Sequence, residues 1–143
     1  LFMAAIMELP QPALRHAKLL GRAMQYINFI RDIDEDNKLG RRYLPLDESK
    51  LESLDRDYCM EHQEAFKAFH RSQIRLYTDW HTEAVKGYRY IPRRLRVPIK
   101  TAEDMYMWTA SQIEKDPLIV FRKKVKPSRF RIILQILVNL LTA

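Results

Sequence analysis

Cysteine occurs once in the 143-residue chain, as Cys59. No intramolecular disulfide can staple the fold, and a lone thiol fits a reducing cytoplasm. Such a cysteine is ordinarily a small buried hydrophobe rather than a nucleophile. Glycine is nearly as scarce, with three residues, and no glycine-rich cofactor motif is present, so nothing points to NADPH. Zinc is disfavoured as well, because His16, His62, His70 and His81 form no ligand-pair motif and there is no second cysteine. An initiator methionine is missing. Leu1 opens directly on the apolar residues 1–7 with no N-cap ahead of them, which reads as a helix entered midway and implies an upstream part. A signal-peptide core is the rival reading, but no basic stretch precedes Leu1 and no small-x-small cleavage site follows. The apolar run over residues 130–141 is interrupted by Arg131, Gln135 and Asn139. It is too short and too polar to span a bilayer, although it can lie on one.

Strand alternation is short wherever it appears and periods near 3.6 dominate, so the expected fold is all-α. A first long helix is predicted over residues 13–36, behind Pro10 and Pro12 and stopped near Asn37 and Gly40. Residues 40–45 form a loop in which Pro45 blocks continuation. A second helical region is predicted over residues 48–86, broken near Asp55 and stopped at Gly87. Pro92 and Pro98 bracket a basic connector. Further helices are expected over residues 99–114, from Asp116-Pro117 to Lys124, and from Pro127 to the end, with Asp116 as N-cap and Pro117 at the first helical position.

Charge is uneven. Lys and Arg number 25 against 18 Asp and Glu, a net +7. Acid gathers at residues 32–36 and 47–57, base at residues 89–100 and 122–131. The excess suits an anionic partner, but a nucleic-acid binder ordinarily shows a basic stripe with aromatic platforms or a reading motif, and none is found. Nucleic acid is therefore not an expected partner.

At about 100° per residue, Leu19, Ala23, Tyr26, Ile30 and Ile33 fall on one face of the first long helix, and Leu20, Met24 and Ile27 on the next. Gly21, Gln25, Asn28, Asp32 and Asp36 form a third, polar stripe. A polar stripe is ordinarily the solvated face. Its composition argues otherwise, because solvated faces favour Lys, Glu and Arg, whereas Gly, Gln and Asn are small or neutral. Like charges one turn apart, as in Asp32 and Asp36, also repel and call for a cation. Mg2+ fits: it takes oxygen ligands, keeps waters, and is bound by one or two carboxylates together with substrate phosphates.

Residues 25–36, Gln-Tyr-Ile-Asn-Phe-Ile-Arg-Asp-Ile-Asp-Glu-Asp, followed by Gly40-Arg41-Arg42-Tyr43-Leu44-Pro45, resemble the second aspartate-rich motif of the squalene/phytoene synthase family, most closely its prokaryotic phytoene synthases. Tyr106, Ala110, Ile113 and residues 116–125 are similar to the family's C-terminal segment. The resemblance runs from Leu1 to about Arg131. It implies a helical isoprenoid-synthase-type bundle around a central cavity, of which residues 1–143 are the C-terminal part of a single domain. The family's first aspartate-rich motif would lie upstream of Leu1.

Carried over, the resemblance implies Asn28, Asp32 and Asp36 as the Mg2+ group, with Mn2+ as the alternative ion. Gln25 and Arg31 would line the pocket, Tyr43 would sit at its rim, and Tyr106 and Lys123 would contact diphosphate. Lys123 stands where many members carry Arg, which weakens bidentate gripping. Arg41 and Arg42 have a simpler reading as complements of a helix C-terminal dipole. The implied reaction is head-to-head condensation of two prenyl diphosphates, geranylgeranyl diphosphate going to phytoene through a cyclopropyl intermediate. A farnesyl-using squalene or dehydrosqualene synthase is the alternative within the family, and a non-catalytic basic helical protein that binds membrane or nucleic acid is the alternative outside it. The fragment alone is expected to be inactive. Greasy substrates and the basic, apolar C-terminus imply a cytoplasmic enzyme peripheral at the inner face of a membrane.

Overall fold

Pro10 occupies the N-cap of the helix that carries the polar stripe, and Pro12 lies in its first turn, where a missing N–H is no loss. The computed structural model describes residues 2–47 and 49–142, except the side chains of Phe2 and Met3. Every regular element among them is helical: α1 (Phe2–Ile6), α2 (Gln11–Arg31), α3 (Ile33–Lys38), α4 (Arg56–Glu61), α5 (Gln63–Val85), α6 (Arg93–Lys115) and α7 (Arg129–Thr142). Two 3-10 turns, Lys86–Tyr90 and Pro117–Phe121, link α5 to α6 and follow α6.

The core forms where α2 lies along α5 and both meet α6. Ile27 and Ile30 of α2, Phe66, Ile74 and Tyr77 of α5, and Ile113 of α6 are almost fully buried in one cluster. Each such side chain contributes about 1.5–3 kcal/mol by leaving water. The two apolar faces expected of the first long helix thus bury Ala23, Ile27, Ile30 and Ile33, which fixes its polar stripe toward the open side. A buried polar group ties α6 in place: Glu103 accepts from Tyr88 Oη at 2.9 Å and pairs with His81 of α5.

The boundaries differ from the sequence reading in several places, among them a first long helix that starts at Gln11 and a second region broken at His62. The first long helix breaks at Asp32, between α2 and α3. Its stop at Gly40 holds, through a Schellman arrangement. Gly40 has φ +66°, its N–H donates to the Asn37 carbonyl at 2.9 Å, and the Arg41 N–H donates to the Asp36 carbonyl at 2.9 Å. The second helical region starts at Arg56 rather than at residue 48, and Glu48 lies outside the described residues. Ser49 and Ser53 hold that stretch as turns, Ser53 Oγ accepting the Asp55 N–H at 3.0 Å and Ser49 Oγ donating to the Leu46 carbonyl at 2.8 Å. Such local bonds offer the backbone an alternative to helix. Pro98 does not close a connector but lies inside α6, which starts after Pro92 at Arg93. Six residues into the helix, Pro98 removes a single ladder bond. The segment after Asp116 is a 3-10 turn ending at Phe121, and the last helix begins at Arg129.

Candidate diphosphate and metal face

The break at Asp32 leaves the polar stripe aligned. Asp32 N–H donates to the Asn28 carbonyl at 2.8 Å and Asp36 N–H to the Asp32 carbonyl at 2.9 Å, so one turn follows another across it. Asp32 sits at φ −96°, ψ 16°, in the bridge region where α2 hands over to α3. Asn28, Asp32 and Asp36 are all half-buried, whereas Gln25, a turn earlier, is exposed on the same stripe. This differs from a solvated face, whose members would be exposed throughout.

Arg31 grips Asp32 with both arms, Nε to Oδ1 at 2.8 Å and Nη2 to Oδ2 at 2.5 Å. Lys124 comes from beyond the second 3-10 turn, placing Nζ 3.5 Å from Asp32 Oδ1 while it bonds Glu35. Burial pushes the Asp32 carboxyl up, but Arg31 and Lys124 together outweigh that and hold it below the usual carboxylate range. Asp36 behaves oppositely. Burial first, and then the negative charges of Asp32 and Glu35, raise its carboxyl above the usual range despite Arg41 and Lys124 nearby. A carboxylate left in a partly dry, negative setting is one that a cation would stabilise.

The remaining sequence candidates are spread around this pair. Tyr43 stacks on Phe29, ring centroids 4.3 Å apart, and is half-exposed at the edge of a small cleft that also includes Asp36, Arg41 and Arg42. Tyr106, half-buried on α6, lies within electrostatic reach of Arg31. Lys123 is exposed and, among the described residues, makes no ion pair, while its neighbour Lys124 faces the carboxylates. The resemblance points to Lys123 by its place in the motif, whereas the chain leaving the 3-10 turn at Phe121 brings Lys124 to the carboxylates.

As a donor set, the face offers two carboxylates and a carboxamide, all oxygen ligands on successive turns. No group of three or more His, Cys, Asp and Glu side chains able to cage a metal occurs among the described residues. By donor type alone, all-oxygen ligands suit a hard ion such as Mg2+ that completes its shell with water and phosphate oxygens. A groove of about 290 Å3 between α5 and α6 is lined by Ile74, Thr78, Met107 and Ala110 among others and contains none of the stripe.

The face thus sets two carboxylates one helical turn apart beside a guanidinium and an ammonium. The squalene/phytoene synthase family model matches residues 1–131, and the chain belongs to that family. It is similar to the 15-cis-phytoene synthase of Synechococcus elongatus, 29% identical over 136 residues, which is 94% of this chain and 44% of that protein. It is 31% identical to the phytoene synthase of Arthrospira platensis over 107 residues, 73% of this chain and 35% of that one. The chloroplastic phytoene synthase of Daucus carota is 30% identical over 110 residues, 76% of this chain and 28% of that one. The chain thus spans less than half the length of these curated relatives. No solved structure matches it.

Proposed function

We propose that the complete enzyme is a prenyltransferase that condenses two molecules of geranylgeranyl diphosphate head to head into phytoene, through a cyclopropyl intermediate, with Mg2+ or Mn2+ as the required ion. The observation that carries this reading is the half-buried Asn28/Asp32/Asp36 face with Arg31 and Lys124 beside it, in a chain whose relatives are phytoene synthases.

Asn28, Asp32 and Asp36 would hold the ion. When bound, a divalent ion supplies positive charge against the departing diphosphate. Arg31 orients Asp32 through its two-armed grip, and Lys124 stands where it can turn from Asp32 and Glu35 to a phosphate oxygen. Tyr106 and Lys123 are second contacts for the diphosphate, Gln25 lines the approach, and Tyr43 closes the rim against Phe29. Met24 and Phe29, half-buried beside the stripe, would offer apolar surface that keeps water from a carbocation, whereas Ile27 is committed to the core. None of these roles needs NADPH. Supplying the complete enzyme with geranylgeranyl and with farnesyl diphosphate tests the assignment. Phytoene from the first supports it, and squalene or dehydrosqualene from the second alone transfers the chain to the family's other activity.

The same reading places the enzyme at the inner face of a membrane, in the cytoplasm, with no part for nucleic acid. Among the described residues no helix is long and apolar enough to cross a bilayer. Helix α7 is instead amphipathic the wrong way round for a soluble bundle. Its polar side chains face the protein, Asn139 Nδ2 donating to Thr101 Oγ1 at 3.1 Å and Gln135 Nε2 to Asp104 at 2.7 Å. Phe130, Ile133, Leu134, Leu137 and Leu141 point outward. Residues 117–143 carry six basic and no acidic residues, and so do residues 84–102, whose end meets the end of α7 where Lys100 reaches Thr142. Each Lys or Arg near anionic lipid contributes about 1 kcal/mol. The complete enzyme is expected to sediment with anionic vesicles at low salt and to be released by high salt. Sedimentation unaffected by anionic lipid would remove the membrane from this account.

A further inference from the structure

The helix break at Asp32 leaves backbone groups to be satisfied, and one of them is taken by a residue outside every role given above. Of the last carbonyls of α2, Asn28's accepts the Asp32 N–H, whereas Ile30's accepts a bond from His70 Nε2 at 3.0 Å. That carbonyl belongs to the residue immediately before Arg31 and Asp32. His70 is fully buried on α5, and its ring stacks on Phe66 with centroids 4.8 Å apart. Phe66 in turn packs on Phe121 at 5.0 Å, at the end of the 3-10 turn that leads to Lys123 and Lys124. The Pro117 carbonyl, at the start of that turn, also lies close to the imidazole, while Nδ1 makes no hydrogen bond. One buried side chain is thus wedged between the segment presenting the carboxylates and the segment presenting the lysines.

An ordinary core position would take an apolar side chain here at no cost in satisfied groups if α2 ran on unbroken, because the Ile30 carbonyl would then bond within the helix. The break removes that partner, and a buried carbonyl without one is costly. An imidazole that donates through Nε2 answers that need and sets the angle at which Arg31 and Asp32 leave the helix. Burial pushes His70 down to about 4, so the ring stays neutral and donates through one nitrogen only.

We propose that His70 is a positioning residue for the diphosphate face: by bonding the Ile30 carbonyl beside the Pro117 turn, it sets the spacing between the Asn28/Asp32/Asp36 ligands and Lys124. The inference rests on the reading of that face as a metal–diphosphate site. Groups that hold ligands from behind commonly matter to metal affinity by about tenfold to a hundredfold.

The test measures binding of inorganic pyrophosphate to the complete enzyme across a Mg2+ titration, with thermal midpoints in parallel. His70→Phe keeps the stacked ring but removes the donor. It is expected to weaken Mg2+-dependent pyrophosphate binding by about tenfold or more. His70→Gln, whose amide can reach the Ile30 carbonyl, is expected to recover most of that affinity even where it does not recover the thermal midpoint. Should His70→Phe fail to fold, His70→Asn replaces it, since its amide stands where Nδ1 does and stops short of the carbonyl. Unchanged pyrophosphate affinity in His70→Phe or His70→Asn, with affinity lost in Asp32→Asn, overturns the positioning role and leaves the site standing. Unchanged affinity in Asp32→Asn as well overturns both.

Discussion

In the complete enzyme, Asp32→Asn and Asp36→Asn are each expected to lower turnover by about a hundredfold, while only Asp32→Asn lowers stability. The two carboxylates share a face but not an environment. Asp32 receives both arms of Arg31 and the charge of Lys124, so its folded-state carboxyl is depressed. The linkage sign follows: Asp32 contributes stability above the unfolded carboxyl value of about 3.9, and this is lost as pH falls through its lower folded value. Replacing it with Asn strands a half-buried guanidinium, which is expected to cost about 1–2 kcal/mol. Asp36 has its carboxyl raised by burial and by Asp32. It favours folding only at acid pH, and that benefit is lost as pH rises through its raised folded value, leaving a penalty at neutrality. Asp36→Asn is therefore expected to be neutral or to raise the thermal midpoint, with a change within about 0.5 kcal/mol. Stability that rises as activity falls is the behaviour of a group retained for a ligand. Turnover and thermal midpoints of both variants across a Mg2+ titration check it. Near-normal turnover in both at every Mg2+ level would return the stripe to an ordinary solvated face.

The opposite behaviour of the two aspartates was not legible from spacing. Asp32 and Asp36 look equivalent at one turn's separation, and the i,i+4 pattern that exposed the stripe also concealed the break at Asp32, because the Asn28–Asp32 and Asp32–Asp36 backbone bonds both survive it. What distinguishes the pair is first the two-armed grip of Arg31 on Asp32 and then Lys124, 92 positions along the chain from Asp32. The major helices were legible for local reasons. Pro10, Pro12 and Gly40 punctuate the chain where their backbone restrictions require, and the period of Ala23, Ile27, Ile30 and Ile33 fixes which face is buried. Residues 49–55 and Pro98 misled for local reasons too: serine hydroxyls captured backbone groups in the first case, and a helix absorbed a proline near its start in the second. His70 carried no signal, since a lone histidine at a buried helical position is ordinarily a satisfied core residue, and its partner carbonyl exists only because α2 breaks.

Lys123 and Lys124 separate the two readings of the basic segment. The family resemblance assigns diphosphate contact to Lys123, whereas Lys124 is the one paired with Glu35 and lying 3.5 Å from Asp32. Hydrogen bonding to Glu35, followed by the charges of Asp32 and Glu35, raises the Lys124 ammonium above its usual value, so it is fully charged at any pH where the enzyme works. Beside Asp32 and Glu35 it offsets negative charge that would otherwise repel. A bound metal–diphosphate would supply both charges anew, leaving Lys124 free to turn to a phosphate oxygen. Losing one such charge-assisted bond costs about 1.5–3 kcal/mol, or roughly tenfold to a hundredfold. Lys124→Ala is therefore expected to raise the KM for prenyl diphosphate by at least about tenfold, and Lys124→Arg to retain most of the affinity. Lys123→Ala, which removes an exposed charge that forms no ion pair among the described residues, is expected to raise KM by less and to leave the thermal midpoint unchanged. KM and thermal midpoints for the three variants of the complete enzyme decide between the two lysines. A larger KM effect at Lys123 than at Lys124 would mean that the segment after Phe121 rotates when substrate binds, and would restore the contact that the resemblance assigns.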